Sequence, residues 1–173
     1  DDHDMLNEVN GLPTHILLVH AVVVLIPVAA LLTVLSAIWP AARRRLGIIT
    51  PLVALAALVV TPLATEAGEW LEKRVRSTPL IQEHVELGDT MLWFAIGLFV
   101  VALIAWGLPA AVLKSTGRPP APWVGVVIAV LAVVVAGAAT FQVFRVGEAG
   151  SKAVWENSYC SVPLDSAGTC PVS

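Results

Sequence analysis

The chain has 173 residues, 57% of them hydrophobic and 13% charged, with a mean hydropathy of +0.83. Soluble domains are about half apolar and about a quarter charged, so a disordered chain and a disulfide-dense secreted miniprotein are both excluded. The net charge of −3 leaves no basic face for a phosphate backbone, which excludes nucleic acid as a partner. The length suits one domain, and the apolar excess suits a lipid bilayer as its solvent.

Residues 1–12 form an acidic outer segment that includes Asp1, Asp2 and Asp4 and shows no cleavable signal peptide. Four long apolar runs follow, at 16–39, 46–65, 90–113 and 122–144, all without acidic or basic residues other than His20. Each is long enough to cross a ~30 Å hydrocarbon core as a helix. None shows the polar face of a helix packed in a soluble core. The expected fold is an all-α membrane protein, a four-helix transmembrane bundle spanning 13–156, with a 157–173 tail. Pro27, Pro51 and Pro62 fall inside the first two runs and are tolerated in a bundle, where neighbours satisfy the freed carbonyls. Gly97, Gly125, Gly137 and Ala138 permit close helix approach. No internal repeat is visible.

Charge sets the expected orientation. The connection at 40–47 carries Arg43, Arg44 and Arg45, and the connection after the third run carries Lys114 and Arg118, with no acid in either. The opposite side holds all thirteen acids, all four histidines and the other five basic residues. A triple-Arg cluster in a short loop beside the first span is the strong form of the positive-inside signal. Both termini are therefore expected outside the cytoplasm, at the plasma membrane. Trp39, Trp106 and Trp123 then fall at cytoplasmic span ends, and Trp70 and Trp93 near outer ends. Cys160 and Cys170 are the two cysteines. On an oxidising side they are expected to close a disulfide; free thiols or a metal pair are the alternatives.

Ionisable groups are costly in lipid, so those near the spans carry the information. His15 opens the first run and His20 lies five residues deeper, about 140° round the helix, so the two do not face one partner. Glu66 and Glu69 share a face at the outer end of span 2, with Gly68 between them. A short amphipathic helix is expected over 69–76. His84, with Glu86 and Asp89, precedes span 3, and Arg145 and Glu148 end span 4, placed to form a structural ion pair. In a bundle these groups converge on one outer mouth, the kind of place where facing helices build haem and metal sites. Candidate cofactor ligands are His15, His20 and His84. A metal set would be His15, Glu66, Glu69 and His84, a chemistry that suits a transition metal. The competing reading makes His20 a hydrogen-bonded helix partner and pairs Glu66 and Glu69 with Arg145, Lys73 or Arg74. Counting from the ends of the runs at ~1.5 Å per residue puts His15 and Glu66 level, His84 ~8 Å further out, and His20 and His84 ~15 Å apart in depth, which makes a haem shared by His20 and His84 awkward and one shared by His15 and His84 less so.

No hydrolase motif, P-loop or dinucleotide fingerprint is present. The cytoplasmic half of the spans lacks the polar residues that a solute or proton pathway needs.

The stretch Gly11-Leu12-Pro13-Thr14-His15-Ile16-Leu17-Leu18-Val19-His20 resembles the G-L-P-x-H-x-L-x-V-H-type opening of a widespread bacterial family of uncharacterised four-helix membrane proteins. Gly68-Glu69 resembles that family's acidic site after helix 2, and His84 its helix-3 motif. The stretch from Arg145-Val146-Gly147-Glu148-Ala149-Gly150 to Ala153-Val154-Trp155 resembles its closing motif. The resemblance implies four helices and a setting among electron-transfer and respiratory proteins, similar to b-type cytochromes. The expected function is an accessory subunit of a larger, respiratory-type membrane assembly, with lipid and other membrane subunits as partners. The alternative is a redox protein holding haem b or a transition metal at the outer mouth.

Overall fold

The computed structural model describes residues 8–9 and 12–156. Two short strands, β1 (Glu8–Val9) and β2 (Leu12–Pro13), pair antiparallel ahead of five helices. These are α1 (Thr14–Ile38), α2 (Pro40–Leu46), α3 (Ile49–Glu72), α4 (Pro79–Thr116) and α5 (Pro122–Trp155). Four of them, all but α2, are long and apolar enough to cross a membrane.

Local chemistry sets the helix ends. Proline at the first helical position, where no backbone N–H is needed, starts α2, α4 and α5. The Thr78 hydroxyl accepts from the Ile81 N–H at 3.3 Å and caps α4. Gly117, at φ 68°, closes α4 in the left-handed region that glycine tolerates, and its N–H donates to the Leu113 carbonyl at 2.9 Å. Pro27, Pro62 and Pro109 lie within helices, whereas Pro51 sits in the first turn of α3.

The structure corrects several boundaries. The arginine-rich connection at 40–47 is not a plain loop but the short helix α2. The expected separate helix over 69–76 is the continuation of α3 to Glu72, followed by a turn in which the Arg74 guanidinium lies 3.7 Å over the Trp70 ring. At 38 and 34 residues, α4 and α5 are ~57 and ~51 Å long. Their polar ends, 79–89 and 145–155, are helical and project past the apolar runs at the rim where α1 begins and α3 ends.

Around the bundle, α1 packs on α3 and α5, α4 packs on the same two, and α1 meets α4 across the diagonal. The core is mostly alanine: Ala29, Ala57, Ala102, Ala105, Ala132 and Ala139 are almost fully buried. Small side chains let the helix backbones approach, which is what holds helices together where lipid is as apolar as the core. Val24, Leu31, Val126 and Val134 point outward, as a lipid solvent allows. Polar bonds tie helices at both ends. Ser36 and Thr50 hydroxyls bond at 2.9 Å near the arginine end. Toward the histidine end, the buried Gln142 amide donates to the Leu87 carbonyl at 3.1 Å and to the Thr90 hydroxyl at 2.7 Å, locking α5 to α4.

The buried positions of the two hairpins correspond at fixed spacings. Five of the six buried residues of α4 (Met91, Ala95, Leu98, Ala102, Ala105) lie 69 positions after buried residues of α1 (Val22, Ile26, Ala29, Thr33, Ser36). Five of the seven buried residues of α5 (Ala132, Ala136, Ala139, Val143, Ala149) lie 82 positions after Thr50, Ala54, Ala57, Thr61 and Ala67 of α3. The buried positions of the α1–α3 and α4–α5 hairpins thus follow matching registers. At two matching positions the volumes alternate. Ile26 stands where α4 has Ala95, and Ala29 where α4 has Leu98, and all four belong to one buried cluster.

Two substitutions test this packing. Ala102→Leu adds three carbons at a fully buried diagonal contact, and overpacking of that kind costs about 1–3 kcal/mol. Gln142→Leu removes the α4–α5 lock at about 0.6–1.7 kcal/mol, the range for interhelical bonds in membranes. Thermal melts in mild detergent should fall for both and stay unchanged for the lipid-facing Val130→Leu. Equal melting of all three would refute the packing scheme.

Candidate functional site

The first turn of α1 and the polar lead-in of α4 bring two histidines together at the rim. His15 and His84 are half-buried, their ring centres are 6.2 Å apart, and their planes stand at 80°. Each ring is fixed from behind by the other helix of its own hairpin. His15 Nδ1–H donates to the Ala64 carbonyl of α3 at 2.8 Å, and His84 Nδ1–H donates to the Val146 carbonyl of α5 at 3.0 Å. A carbonyl can only accept, so both bonds place the proton on Nδ1. In the neutral ring this leaves Nε2 as a lone-pair donor, the arrangement that metal-ligating histidines adopt.

Glycine makes both contacts possible. A Cβ on Gly68 would lie 2.9 Å from His15 Cε1, and a Cβ on Gly150 would lie 2.9 Å from His84 Cε1. Each imidazole therefore occupies the space where another residue would carry its side chain.

The remaining expected residues do not join this pair. His20 is exposed, and its Nδ1–H turns back to the Ile16 carbonyl of its own helix at 2.6 Å. Glu66 and Glu69 line a groove between α3 and α4, with Pro62, Thr65, Asp89 and Leu92 around a cavity of about 310 Å³. Glu148 pairs with Lys152 at 2.9 Å, one helical turn further along α5. Cys160 and Cys170 lie outside the described residues. Among the described residues, no group of three or more His, Cys, Asp or Glu is placed to hold a metal ion.

The structure overturns the expected ~8 Å offset between His15 and His84. That count takes the first charge-free residue as the membrane surface on every helix. In α4 the helix begins eleven residues before the apolar run, at Pro79, and the stretch carrying His84 packs against α5 inside the bundle mouth. Sequence reasoning passed over Gly150, the Ala64 and Val146 carbonyls and Gln142. The available signal was the recurrence of Glu-Ala-Gly at 66–68 and 148–150.

No curated protein and no solved structure matches the chain. A family model described as predicted membrane protein (DUF2231) matches residues 11–162, most of the chain. Its four membrane-length helices agree with that description, and the chain belongs to the DUF2231 family of predicted membrane proteins.

Proposed function

We propose that the protein is a membrane electron carrier that holds a haem b through His15 and His84. The observation that carries this reading is the pair of Nδ1-anchored imidazoles 6.2 Å apart. An imidazole nitrogen sits about 2.0–2.1 Å from a bound first-row metal, with its ring centre ~1.1 Å behind. Two such rings in line across one iron have centres ~6.3 Å apart. A bare ion needs three or four protein ligands, whereas a porphyrin supplies four nitrogens itself and asks the protein for two. The donor set at the rim fits that request.

A haem held by His15 and His84 would supply one-electron chemistry. The residues do the rest. The Ala64 and Val146 carbonyls hold the ring tautomers and orientations, and they make Nε2 a better donor. The apolar walls of the bundle lower the local dielectric. The groove at Glu66, Glu69 and Asp89 opens beside the site and offers an edge to the aqueous side. The Nε2 lone pairs left on the two tethered rings favour the carrier over a purely structural subunit.

The arginine cluster on α2 supports a rim that faces outward, with both termini outside and a Cys160–Cys170 disulfide in the tail.

Protein purified without chelator from haem-replete cells should show a Soret band. His15→Ala and His84→Ala should each abolish it or shift it to a high-spin form, and His20→Ala should leave it intact. A colourless wild-type preparation would end the haem reading. Sidedness has its own check: an impermeant thiol reagent should label Cys160 and Cys170 on intact cells only after reduction. Labelling that requires permeabilised cells would reverse the orientation.

A further inference from the structure

We infer that the rim site is one half-site built twice, and that Gly68 and Gly150 are the residues that position its two imidazoles. Each half-site has the same parts in the same order. A histidine opens the pattern H-[I/V]-x-L, as His15-Ile16-Leu17-Leu18 on α1 and as His84-Val85-Glu86-Leu87 on α4. The partner helix supplies a carbonyl and, four residues on, the glycine of Glu-Ala-Gly. These are Ala64 and Gly68 on α3, and Val146 and Gly150 on α5.

The four-residue spacing has a geometric reason. In a helix, the carbonyl of one residue points along the axis toward the residue four later, so the two share a face. A ring that reaches the carbonyl from outside must cross the later residue, and only glycine leaves that path open. The two crossings agree closely. A Cβ on Gly68 would stand 2.9 Å from Cε1 and 3.1 Å from Nδ1 of His15, and a Cβ on Gly150 would stand 2.9 and 3.1 Å from the same atoms of His84. The spacings of the half-sites, 69 and 82 residues, are those that relate the buried residues of the two hairpins. The duplication therefore runs through the whole fold and ends at the histidines.

The consequence separates position from stability. The nearest atoms to either added Cβ belong to the imidazole, a side-chain end that can swing aside. Alanine thus displaces the ring from its carbonyl while the bundle stays packed. Two equivalently held imidazoles 6.2 Å apart would suit a ligand with two equivalent faces, as a metal at the centre of a planar macrocycle has. That last step rests on the haem reading; the positioning role rests on ring geometry alone.

The test uses full-length protein with ¹⁵N-labelled histidine in detergent micelles, in the reduced, diamagnetic state. The wild type should show two slowly exchanging Nδ1–H resonances from His15 and His84. Gly68→Ala should lose the His15 signal and keep that of His84, and Gly150→Ala should do the reverse. Gly147→Ala, whose Cβ meets nothing within 4 Å, should keep both. Melting temperatures of the folded variants should fall no further than that of Gln142→Leu, which also loses an interhelical bond. Persistence of both signals in Gly68→Ala and Gly150→Ala would overturn the proposal. If Gly68→Ala fails to accumulate, the double variant His15→Ala/Gly68→Ala should restore the wild-type level, because the ring is what the methyl meets; failure of the double variant would also overturn it. A colourless protein with the expected resonance pattern would defeat the haem reading and leave the positioning role standing.

Discussion

A histidine side chain at the mouth of a membrane bundle must place its N–H somewhere. Water is scarce there, and the neighbouring helices have already used most of their carbonyls on themselves. In this chain the answer is a second lone pair on a helix carbonyl. Ala64 and Val146 each accept an imidazole N–H from a different helix. That bond joins α1 to α3 and α4 to α5, fixes which ring nitrogen is protonated, and leaves the other as a lone-pair donor. Helix spacing, glycine placement and the proposed ligand all follow from it.

The constraint explains the composition at the rim and below it. Glycine occurs where a ring crosses a helix, at Gly68 and Gly150. Alanine fills the diagonal where α1 meets α4, with Ile26 and Leu98 as the two large fully buried apolar side chains. The position 69 residues after Ile26 is Ala95, and the position 69 before Leu98 is Ala29. Gln142 is the point at which the two hairpins differ: it clamps α5 to α4 through Leu87 and Thr90, and the equivalent position of α3 is Val60. The first unit has its own polar tie at the opposite end, between Ser36 and Thr50.

Much of this was legible in the sequence and some was not. Hydropathy marks the four spans because lipid imposes length and apolarity on each run separately. It does not mark where the helices stop, since 79–89 and 145–155 are polar yet helical, and a depth scale counted from charges misplaces His84. His15 and His84 stand out as ionisable groups beside lipid. Their meeting does not, because it depends on bundle order and helix stagger, which the sequence leaves open. The duplication escapes notice because its conserved content is tiny: two H-[I/V]-x-L stretches, two Glu-Ala-Gly triplets, and an alanine-rich burial pattern that any membrane helix shows. Only the packing reveals that the spacings of 69 and 82 recur through the core.

The central claim is that imidazoles from opposite hairpins bind one iron with their planes near perpendicular. Electron paramagnetic resonance of the oxidised protein, purified with its native cofactor, measures this most directly. Crossed axial rings leave the iron orbitals nearly degenerate, so the account predicts a highly anisotropic low-spin ferric signal. A rhombic low-spin signal would mean parallel rings, and a high-spin signal would mean a missing axial histidine; either would contradict the geometry described here.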